Sequence, residues 1–230
     1  MNELRPDGPG TVGFLHTAQV HVATFEALSR ELMPSVSTVH RVDPEALELA
    51  RREGTGEFVH AVVADHLSEL RDAGCEVILC TCSTLGEVAE GLSGDGLEVI
   101  RIDRPMLCRA VTLGPRIGVL AALTSTVEPT TGLLAEEAVA ADAVIAVEVS
   151  VVDGAWDAFL GGDADLYYSR IAQAARVLSS RCDVVVLAQA SMEPAAALLA
   201  GLATPVLTSP RSAVEAVASV IPPLRQVGSE

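Results

Sequence analysis

Two stretches of the chain repeat one another: GCEVILCTCSTL at residues 74–85 and RCDVVVLAQASM at residues 181–192. Each places a cysteine and an acidic residue before a short apolar run, and each ends in small residues. Apolar runs rich in Val, Ile and Leu are typical of strands that are buried on both faces of a parallel sheet. The two stretches therefore predict two equivalent strands, each followed by a turn into a helix.

The repeat extends beyond these two stretches. Leu97–Met106 aligns with Thr204–Ala213 at the offset of 107 that relates residue 74 to residue 181. Thr11–Val22 aligns with Arg116–Val127 at an offset of 105. Because similar segments at a nearly constant offset indicate a duplicated structural unit, we predict two pseudo-equivalent halves with a cleft between them.

Short apolar runs alternate with helical patterns, which predicts an α/β fold in which each half is a mainly parallel, doubly wound sheet flanked by helices. The predicted strands are Thr11–Leu15, Val36–Val42, Cys75–Cys80, Leu97–Ile102, Arg116–Ala121, Ala143–Val149, Cys182–Leu187 and Pro205–Thr208. The predicted helices are Val22–Leu32, Pro44–Ala50, Glu57–Ala73, Val127–Ala141, Asp165–Ser180, Pro194–Leu202 and Arg211–Ile221. We place the first lobe at residues 1–113 and the second at residues 114–210. By symmetry, a C-terminal helix within residues 211–230 is expected to complete the first lobe.

The composition limits the partners of the protein. Its formal net charge is -16, so nucleic acid and anionic membrane surfaces, which are bound through clustered Lys and Arg, are not expected as partners. Half of the residues are apolar but only 3% are aromatic, so the core must be packed from Ala, Val, Leu and Ile. The chain shows no signal-peptide pattern and no apolar run near the ~18 residues that span a bilayer. We therefore expect a cytoplasmic protein.

The cysteines are odd in number and lack a paired metal-ligand pattern, which predicts reduced thiols and no zinc site. We expect Cys75, Cys80, Cys108 and Cys182 to be buried structural residues. Cys82 differs because it follows a predicted strand and precedes a predicted helix start. A helix N-terminus lowers the pKa of a thiol from about 8.5 toward neutrality, so we predict that Cys82 is a thiolate base or nucleophile.

Ligands of an open parallel sheet bind at the carboxyl ends of the strands, where loops lead into helix N-termini. Such loops in this chain are rich in small hydroxyl residues, which can turn backbone N–H groups toward a carboxylate or can simply cap a helix. The predicted substrate-binding residues are Thr17, Gln19, Ser83, Thr84, Thr124, Ser125, Thr126, Gln189, Ser191 and Thr208.

Three motifs carry a resemblance to a known family: LCTCST at residues 79–84, its partner LAQASM at residues 187–192, and PVLTSP at residues 205–210. Together they resemble the aspartate/glutamate racemase superfamily, which includes amino-acid, hydantoin and allantoin racemases, maleate isomerase and arylmalonate decarboxylase. The resemblance implies a two-lobed enzyme that acts on a small carboxylate without a cofactor, with one catalytic cysteine in each lobe. It also implies a homodimer or a larger homo-oligomer.

The chain departs from this family pattern at one position. The first family cysteine matches Cys82, but the repeat places Gln189 where the second would be. Racemisation by two bases needs a proton acceptor on one face of the carbon and a donor on the other, and an amide cannot shuttle protons. Three functions therefore remain open: a racemase or isomerase that works through an enediolate or a covalent Cys82 intermediate, a lyase or decarboxylase with a single cysteine, and a non-catalytic carboxylate-binding protein.

Histidines are the candidates for a second proton-transfer group. His16 and His21 lie on the loop of the first strand, and we predict that His16 is catalytic, with the capping of a turn as an equal alternative. His40 and Asp43 end another strand and could orient a partner. We expect His66, within a predicted helix, to be solvated.

An enediolate also needs N–H and hydroxyl donors near the carboxylate oxygens, each worth roughly 3–4 kcal/mol. The hydroxyl residues named above are the candidates for this role. Substrate selection would depend on several loops, and the aromatic residues Trp156, Tyr167 and Tyr168 could either take part or serve only to pack helices.

Overall fold

The computed structural model describes residues 10–221, which form eight strands and nine α-helices. The strands are β1 (Thr11–His16), β2 (Ser37–Val42), β3 (Cys75–Cys80), β4 (Glu98–Arg101), β5 (Arg116–Ala121), β6 (Ala146–Val151), β7 (Val184–Leu187) and β8 (Val206–Leu207). The helices are α1 (Val20–Leu32), α2 (Pro44–Glu53), α3 (Glu57–Asp72), α4 (Ser83–Gly91), α5 (Arg104–Leu113), α6 (Val127–Ala140), α7 (Ala155–Leu160), α8 (Ala164–Ser179) and α9 (Pro210–Val220). Segments Thr124–Thr126 and Ala190–Leu199 are 3₁₀ helices.

The strands form two four-stranded sheets, and every pair of neighbouring strands is parallel. The first sheet has the order β2-β1-β3-β4 and the second has the order β6-β5-β7-β8. The two orders are identical once four is added to each strand number of the first sheet. The predicted α/β fold with two pseudo-symmetric parallel lobes is therefore confirmed.

The sequence missed several local features. Helices α5 and α7 were not predicted, the helix predicted to start after Cys82 is α4, and the strand predicted at Ala143–Val149 lies at Ala146–Val151. The segment predicted as the helix Pro194–Leu202 forms a 3₁₀ helix that begins at Ala190 and contains Pro194. Proline has no backbone N–H to donate and clashes with the preceding turn, which disfavours a regular α-helix around it.

One glycine in each lobe allows a cysteine of the same lobe to pack closely. A Cβ atom at Gly118 would lie 2.7 Å from Cγ of Leu178 and 3.1 Å from Sγ of Cys182. A Cβ atom at Gly13 would lie 3.3 Å from Sγ of Cys75. These contacts pair glycines and cysteines that the repeat aligns, so the symmetry extends to the core.

The last helix of each half packs against the other half. α5 follows β4 of the first sheet, yet Met106, Leu107 and Ala110 pack in one core cluster with Ile117 and other residues of the second sheet. α9 follows β8 of the second sheet and contacts α1, β3 and β4. This exchange joins the halves tightly. The division of the chain into two lobes at residue 113 stays a prediction. The ends of the predicted lobes, residues 1–9 and 222–230, lie outside the described part of the chain.

All five cysteines are free thiols. Cys75, Cys80 and Cys182 are buried, as predicted, but the prediction that Cys108 is buried was wrong. Cys108 lies on the outward face of α5, where its thiol donates to Glu137 Oε2 at 2.7 Å. None of the helices between residues 10 and 221 combines the length and the apolar character needed to cross a membrane.

Candidate active site

A cleft of about 390 Å³ lies where loops from the carboxyl ends of both sheets meet. Seven of the predicted site residues line it: Thr17, Cys82, Ser83, Thr84, Thr126, Gln189 and Ser191. The lining also contains two residues that the sequence offered with alternatives left open, His21 and Trp156, and five that it did not single out: Ala18, Leu47, Thr81, Leu123 and Ala190. The structure therefore brings together the two loops that the repeat aligns.

The remaining predicted binding residues lie elsewhere. Thr124 and Ser125 line an adjoining cavity of about 790 Å³, which shares Leu123 and Trp156 with the cleft. Gln19 is exposed just before α1, and it is not part of the cleft lining. Thr208, which follows β8 at the edge of its sheet, is also absent from the lining.

His16 does not face the cleft, contrary to the prediction. It is fully buried, and both ring nitrogens are engaged, with Nδ1 2.8 Å from Thr81 Oγ1 and Nε2 2.8 Å from His40 Nδ1. Burial first, and then the neighbouring His40 and His21, lower the pKa of His16 to about 3. Side chains alternate between the two faces of a strand, and His16 shares the face of Phe14 against α1.

Cys82 lies immediately before α4 and is buried at the floor of the cleft. The Thr17 hydroxyl and the backbone N–H groups of Leu85 and Thr84 lie near its thiol and act to lower its pKa, but the thiol accepts no hydrogen bond from the helix start, where the Leu85 N–H donates to the Cys82 backbone carbonyl at 3.1 Å. Burial raises the pKa of Cys82 above its ordinary value, since it outweighs these nearby donors, and the nearby Asp103 carboxylate acts in the same direction. The predicted drop in the pKa was therefore wrong, and the thiol is protonated at neutral pH.

Gln189 occupies the equivalent position before the 3₁₀ helix of the second half. Its side-chain Oε1 accepts the backbone N–H of Ala122 at 2.9 Å, and its Nε2 donates to Thr126 Oγ1 at 3.0 Å. Both ends of the amide are thus held in place. Gln189 fixes the wall of the cleft and offers no proton for transfer.

Several hydroxyl groups of the cleft join the halves. The Ser83 hydroxyl donates to the backbone carbonyl of Ala188 at 2.9 Å. The Thr84 hydroxyl lies 3.4 Å from Ser125 Oγ and 3.5 Å from Thr126 Oγ1. These bonds connect the start of α4 to the loops of the second sheet, so the shape of the cleft depends on both halves.

Two aromatic side chains with ring nitrogens, those of Trp156 and His21, also form part of the cleft wall. Burial lowers the pKa of His21 to about 4, so its ring is neutral at physiological pH. The indole N–H of Trp156 is buried, and it has no hydrogen-bond acceptor within residues 10–221. Tyr167 is buried instead beneath the second lobe, where its hydroxyl lies 2.8 Å from Ser191 Oγ.

The repeat, extended to one more strand in each half, would have placed Leu47 and Trp156 in the cleft. Leu47 lies five residues beyond the end of β2, and Trp156 lies five residues beyond the end of β6. β2 and β6 are equivalent strands, so these two side chains occupy equivalent positions in the first turns of the following helices. Extending the repeat to the second strand of each half would have placed both in the cleft.

His66 is buried, although it was expected to be solvated. Its Nε2 lies 2.6 Å from Asp43 Oδ2, and Asp43 also caps α2 by accepting the N–H groups of Glu45 and Ala46. His66 is on the face of α3 that packs toward the first sheet. Within residues 10–221, no group of three or more His, Cys, Asp or Glu side chains is arranged to hold a metal ion.

Comparisons with known proteins agree with this architecture. Among curated proteins, no sequence matches the chain. An aspartate racemase of Picrophilus torridus superposes with a TM-score of 0.69 at 17% identity, over 91% of this chain and 94% of that one. An allantoin racemase of Klebsiella pneumoniae gives 0.66 at 17% identity, over 92% and 87%. A glycine-to-cysteine mutant of arylmalonate decarboxylase, in a sulfate-associated form, gives 0.56 at 18% identity, over 96% and 95%.

These structural likenesses show a shared fold, and the sequence itself shows the family. The sequence model described as Asp/Glu/Hydantoin racemase matches residues 17–217, which covers the cleft and most of both sheets. The chain therefore belongs to the Asp/Glu/hydantoin racemase family of enzymes.

Proposed function

We propose that the protein is a cofactor-independent racemase or isomerase that acts on a small carboxylate substrate and depends on Cys82. The observation that carries the proposal is that one cleft is lined by both the Cys82 thiol, at the position of the first family cysteine, and the His21 imidazole. Gln189, at the position of the second family cysteine, is held by two hydrogen bonds, and its amide cannot replace the Cys82 thiol or the His21 imidazole in proton transfer.

The protonation states of the two groups are complementary. A neutral imidazole can accept a proton from the carbon next to the carboxylate, and the electron pair of the C–H bond then passes to the carboxylate as an enediolate. A protonated thiol can return a proton to that carbon, which leaves a thiolate stabilised by the N–H groups of Thr84 and Leu85. Racemisation requires His21 and Cys82 to meet the carbon from opposite faces. Covalent addition of the Cys82 sulfur is the other route to isomerisation.

Neutral donors would hold the carboxylate. Within the described residues, the cleft lining contains no Lys or Arg, but it contains the hydroxyls of Thr17, Thr84 and Thr126 and the unpaired indole N–H of Trp156. Donors of this kind stabilise negative charge that develops on carboxylate oxygens, and their effect is larger in a buried site than in water.

A decarboxylase is the second candidate. The specific observation in its favour is that the family positions supply one thiol, Cys82, rather than two. Protonation of an enediolate after loss of CO₂ needs a proton on one face only, which a single thiol can supply. The structural likeness to arylmalonate decarboxylase, at a TM-score of 0.56, is compatible with this chemistry.

Proton NMR in D₂O separates these functions. The protein would be mixed in turn with chiral amino acids, hydantoins, allantoin, 2-substituted malonates and maleate. Loss of a Cα–H signal without a new compound indicates a racemase, whereas product signals indicate an isomerase or a decarboxylase. Each reaction should vanish in the Cys82→Ala variant and persist in Cys108→Ala, because Cys108 is an exposed thiol outside the cleft.

A substrate-independent measurement accompanies this test. Small carboxylates that bind the cleft should protect Cys82 from alkylation and leave Cys108 unprotected. Protection without turnover of any compound would contradict an enzymatic role and support the non-catalytic binding protein. Turnover that survives Cys82→Ala would contradict the assignment of Cys82.

A further inference from the structure

A row of four hydrogen-bonded side chains runs from the cleft to the surface of the first half. The members of this histidine row are Thr81, His16, His40 and Glu26. Thr81 lines the cleft, and its hydroxyl is 2.8 Å from His16 Nδ1. His16 Nε2 is 2.8 Å from His40 Nδ1, and His40 Nε2 is 3.1 Å from Glu26 Oε1. The Glu26 side chain is 35% exposed, whereas Thr81 and His16 are buried.

Strand pairing and aromatic packing hold the row in place. In the parallel pair of β1 and β2, Phe14 lies opposite His40, so His16 is the diagonal neighbour of His40 on one face of the sheet. The two imidazole rings stack at 5.1 Å with planes 8° apart, and each also stacks on Phe14. Phe25 of α1 packs against Phe14 and His16. The rings therefore have little freedom to leave their hydrogen bonds.

The outer end of the row determines which ring nitrogens carry protons. An ionised Glu26 can only accept hydrogen bonds, and its Oε1 already accepts one from the Thr38 hydroxyl at 3.0 Å. His40 Nε2 is therefore a donor, and in a neutral ring its Nδ1 is then an acceptor. By the same step, His16 Nε2 donates to His40 and His16 Nδ1 accepts.

The inner end of the row agrees with this order. The Thr81 hydroxyl has one proton, and both His16 Nδ1 at 2.8 Å and the Leu15 carbonyl at 3.1 Å are within reach. The Leu15 carbonyl already accepts the backbone N–H of Thr81 at 2.9 Å. The carbonyl oxygen has a second lone pair, so the position of the hydroxyl proton depends on His16. In the order set by Glu26, His16 Nδ1 carries no proton and takes its hydrogen bond from the Thr81 hydroxyl, which leaves the lone pairs of Thr81 Oγ1 as acceptors for a proton from the cleft.

We propose that the histidine row is a proton relay between the cleft and solvent. A water in the cleft, or a substrate whose C–H proton passes through His21, gives a proton to Thr81 Oγ1 while the hydroxyl proton moves to His16 Nδ1. The Nε2 proton of His16 then moves to His40 Nδ1, and the Nε2 proton of His40 moves to the Glu26 carboxylate. The electron pair stays on the donor in the cleft, and Glu26 releases its proton to water. The inference rests on the proposed function only for the role of a substrate as the donor.

The surroundings of the row suit transfer rather than storage of a proton. Burial is the main cause that lowers the pKa values of both His16 and His40, so neutral rings are favoured at physiological pH. The other charged or titratable groups that face the row are His21, whose ring centre is 6.4 Å from that of His16, and Arg30, whose Nη2 is 3.8 Å from Glu26 Oε2. Arg30 thus places a positive charge beside the Glu26 carboxylate at the outer end of the row.

Exchange of the His16 ring proton with D₂O tests the relay without a substrate. Histidine ring signals in ¹⁵N NMR should first show that His16 and His40 are neutral and protonated at Nε2. Glu26→Gln keeps an oxygen that can accept from His40, but an amide cannot take up a proton. Exchange at His16 should therefore become slower by about tenfold or more in Glu26→Gln. The matched control is Glu31→Gln on the exposed side of α1, which should leave the rate unchanged.

A purely structural row predicts a different result. Weakening its outer bond would loosen the row, so exchange at His16 in Glu26→Gln would become faster or stay the same, and either result overturns the relay. Protonation of His16 at Nδ1, or a charged His40, also overturns it. Thr81→Val and Thr81→Ser form a second pair, since both keep a small side chain but only serine keeps the hydroxyl.

Turnover separates the relay from the proposed function. If a substrate is found, Glu26→Gln and Thr81→Val should lower kcat about 10²-fold with KM unchanged, and Thr81→Ser should retain most of kcat. Unchanged kcat in both variants overturns the relay while the role of Cys82 stands. If no compound turns over, the proposed function fails, and the exchange rates at His16 still decide whether the relay exists.

Discussion

The two strand-to-helix loops that meet in the cleft occupy equivalent positions, yet they differ in chemistry. The first loop carries Thr81 and Cys82, and the repeat aligns them with Ala188 and Gln189. His16, which bonds to Thr81, is likewise aligned with Ala121. The first half therefore holds groups that can exchange protons, whereas the second half holds an amide and small apolar side chains. A duplicated scaffold can thus keep its backbone while only one copy retains the titratable groups.

The hydrogen bonds explain how the second loop keeps its shape without a thiol. Gln189 bonds to the backbone of Ala122 and to Thr126, and the Thr126 hydroxyl lies near that of Thr84 from the first half. Gln189 thus has a structural role that a cysteine could not fill, because a thiol is too short to reach both partners. We infer that the asymmetry concentrates proton chemistry in the first half.

The largest effect is expected from removing the thiol. Cys82→Ala should lower turnover by about 10²–10⁴-fold, the range for loss of a general acid or base, without a comparable loss of stability. NMR with the substrate found in the D₂O panel measures the rate, and Cys108→Ala is the control. If Gln189→Ala lowered turnover as much as Cys82→Ala, this would contradict the inference that only the first loop carries a group that transfers protons.

The next effect concerns His16, whose counterpart Ala121 does not titrate. The pKa of His16 is about 3 in the folded protein and about 6.5 when unfolded, so below pH 6.5 the unfolded chain binds a proton that the folded protein does not. His16 therefore contributes stability that is present above pH 6.5 and is lost as the pH falls, on the order of 3 kcal/mol by pH 4.

Urea unfolding of the wild type and of His16→Gln at pH 7.5 and pH 4.5 measures this contribution. The variant should be less stable at pH 7.5, and the difference in the free energy of unfolding should shrink at pH 4.5. A difference that stays constant with pH would show that His16 titrates normally.

A third prediction compares the cores of the two lobes. Gly118→Ala should destabilise the protein by about 2–3 kcal/mol, because its Cβ would overlap Leu178 at 2.7 Å. Gly13→Ala should cost only about 1 kcal/mol, since its Cβ would meet Ile78 Cγ1 at 3.0 Å and Cys75 at 3.3 Å, which are less severe overlaps than that at Gly118. Chemical denaturation of both variants provides the measurement. Equal losses would mean that the lobes are packed alike at these glycines.

A smaller effect than that of Gly118→Ala is expected at Gln189. Gln189→Ala removes the acceptor of the Ala122 N–H and should lower the free energy of unfolding by about 1–2 kcal/mol. Gln173→Ala, at an exposed position of α8, is the control and should have almost no effect. Thermal denaturation of both variants measures the difference. No loss in Gln189→Ala would contradict the bracing role of this amide.

The sequence by itself determined the two parallel sheets and the pairing of their loops. Short apolar runs at a fixed offset have few ways to bury both faces, and parallel strands bring their carboxyl ends to one edge. That reasoning placed Cys82, Ser83, Thr84, Gln189 and Ser191 in a shared cleft, and the structure shows them there.

Only the tertiary structure decided where individual side chains point and how they ionise. Whether His16 faces the cleft or α1 depends on which face of β1 the helix covers, and adjacent residues of a strand face opposite sides. The protonation of Cys82 depends on the balance between nearby N–H donors and burial by residues from both halves. Burial prevails in this protein, because desolvation of a charge is set by all the surrounding atoms and not by the local sequence.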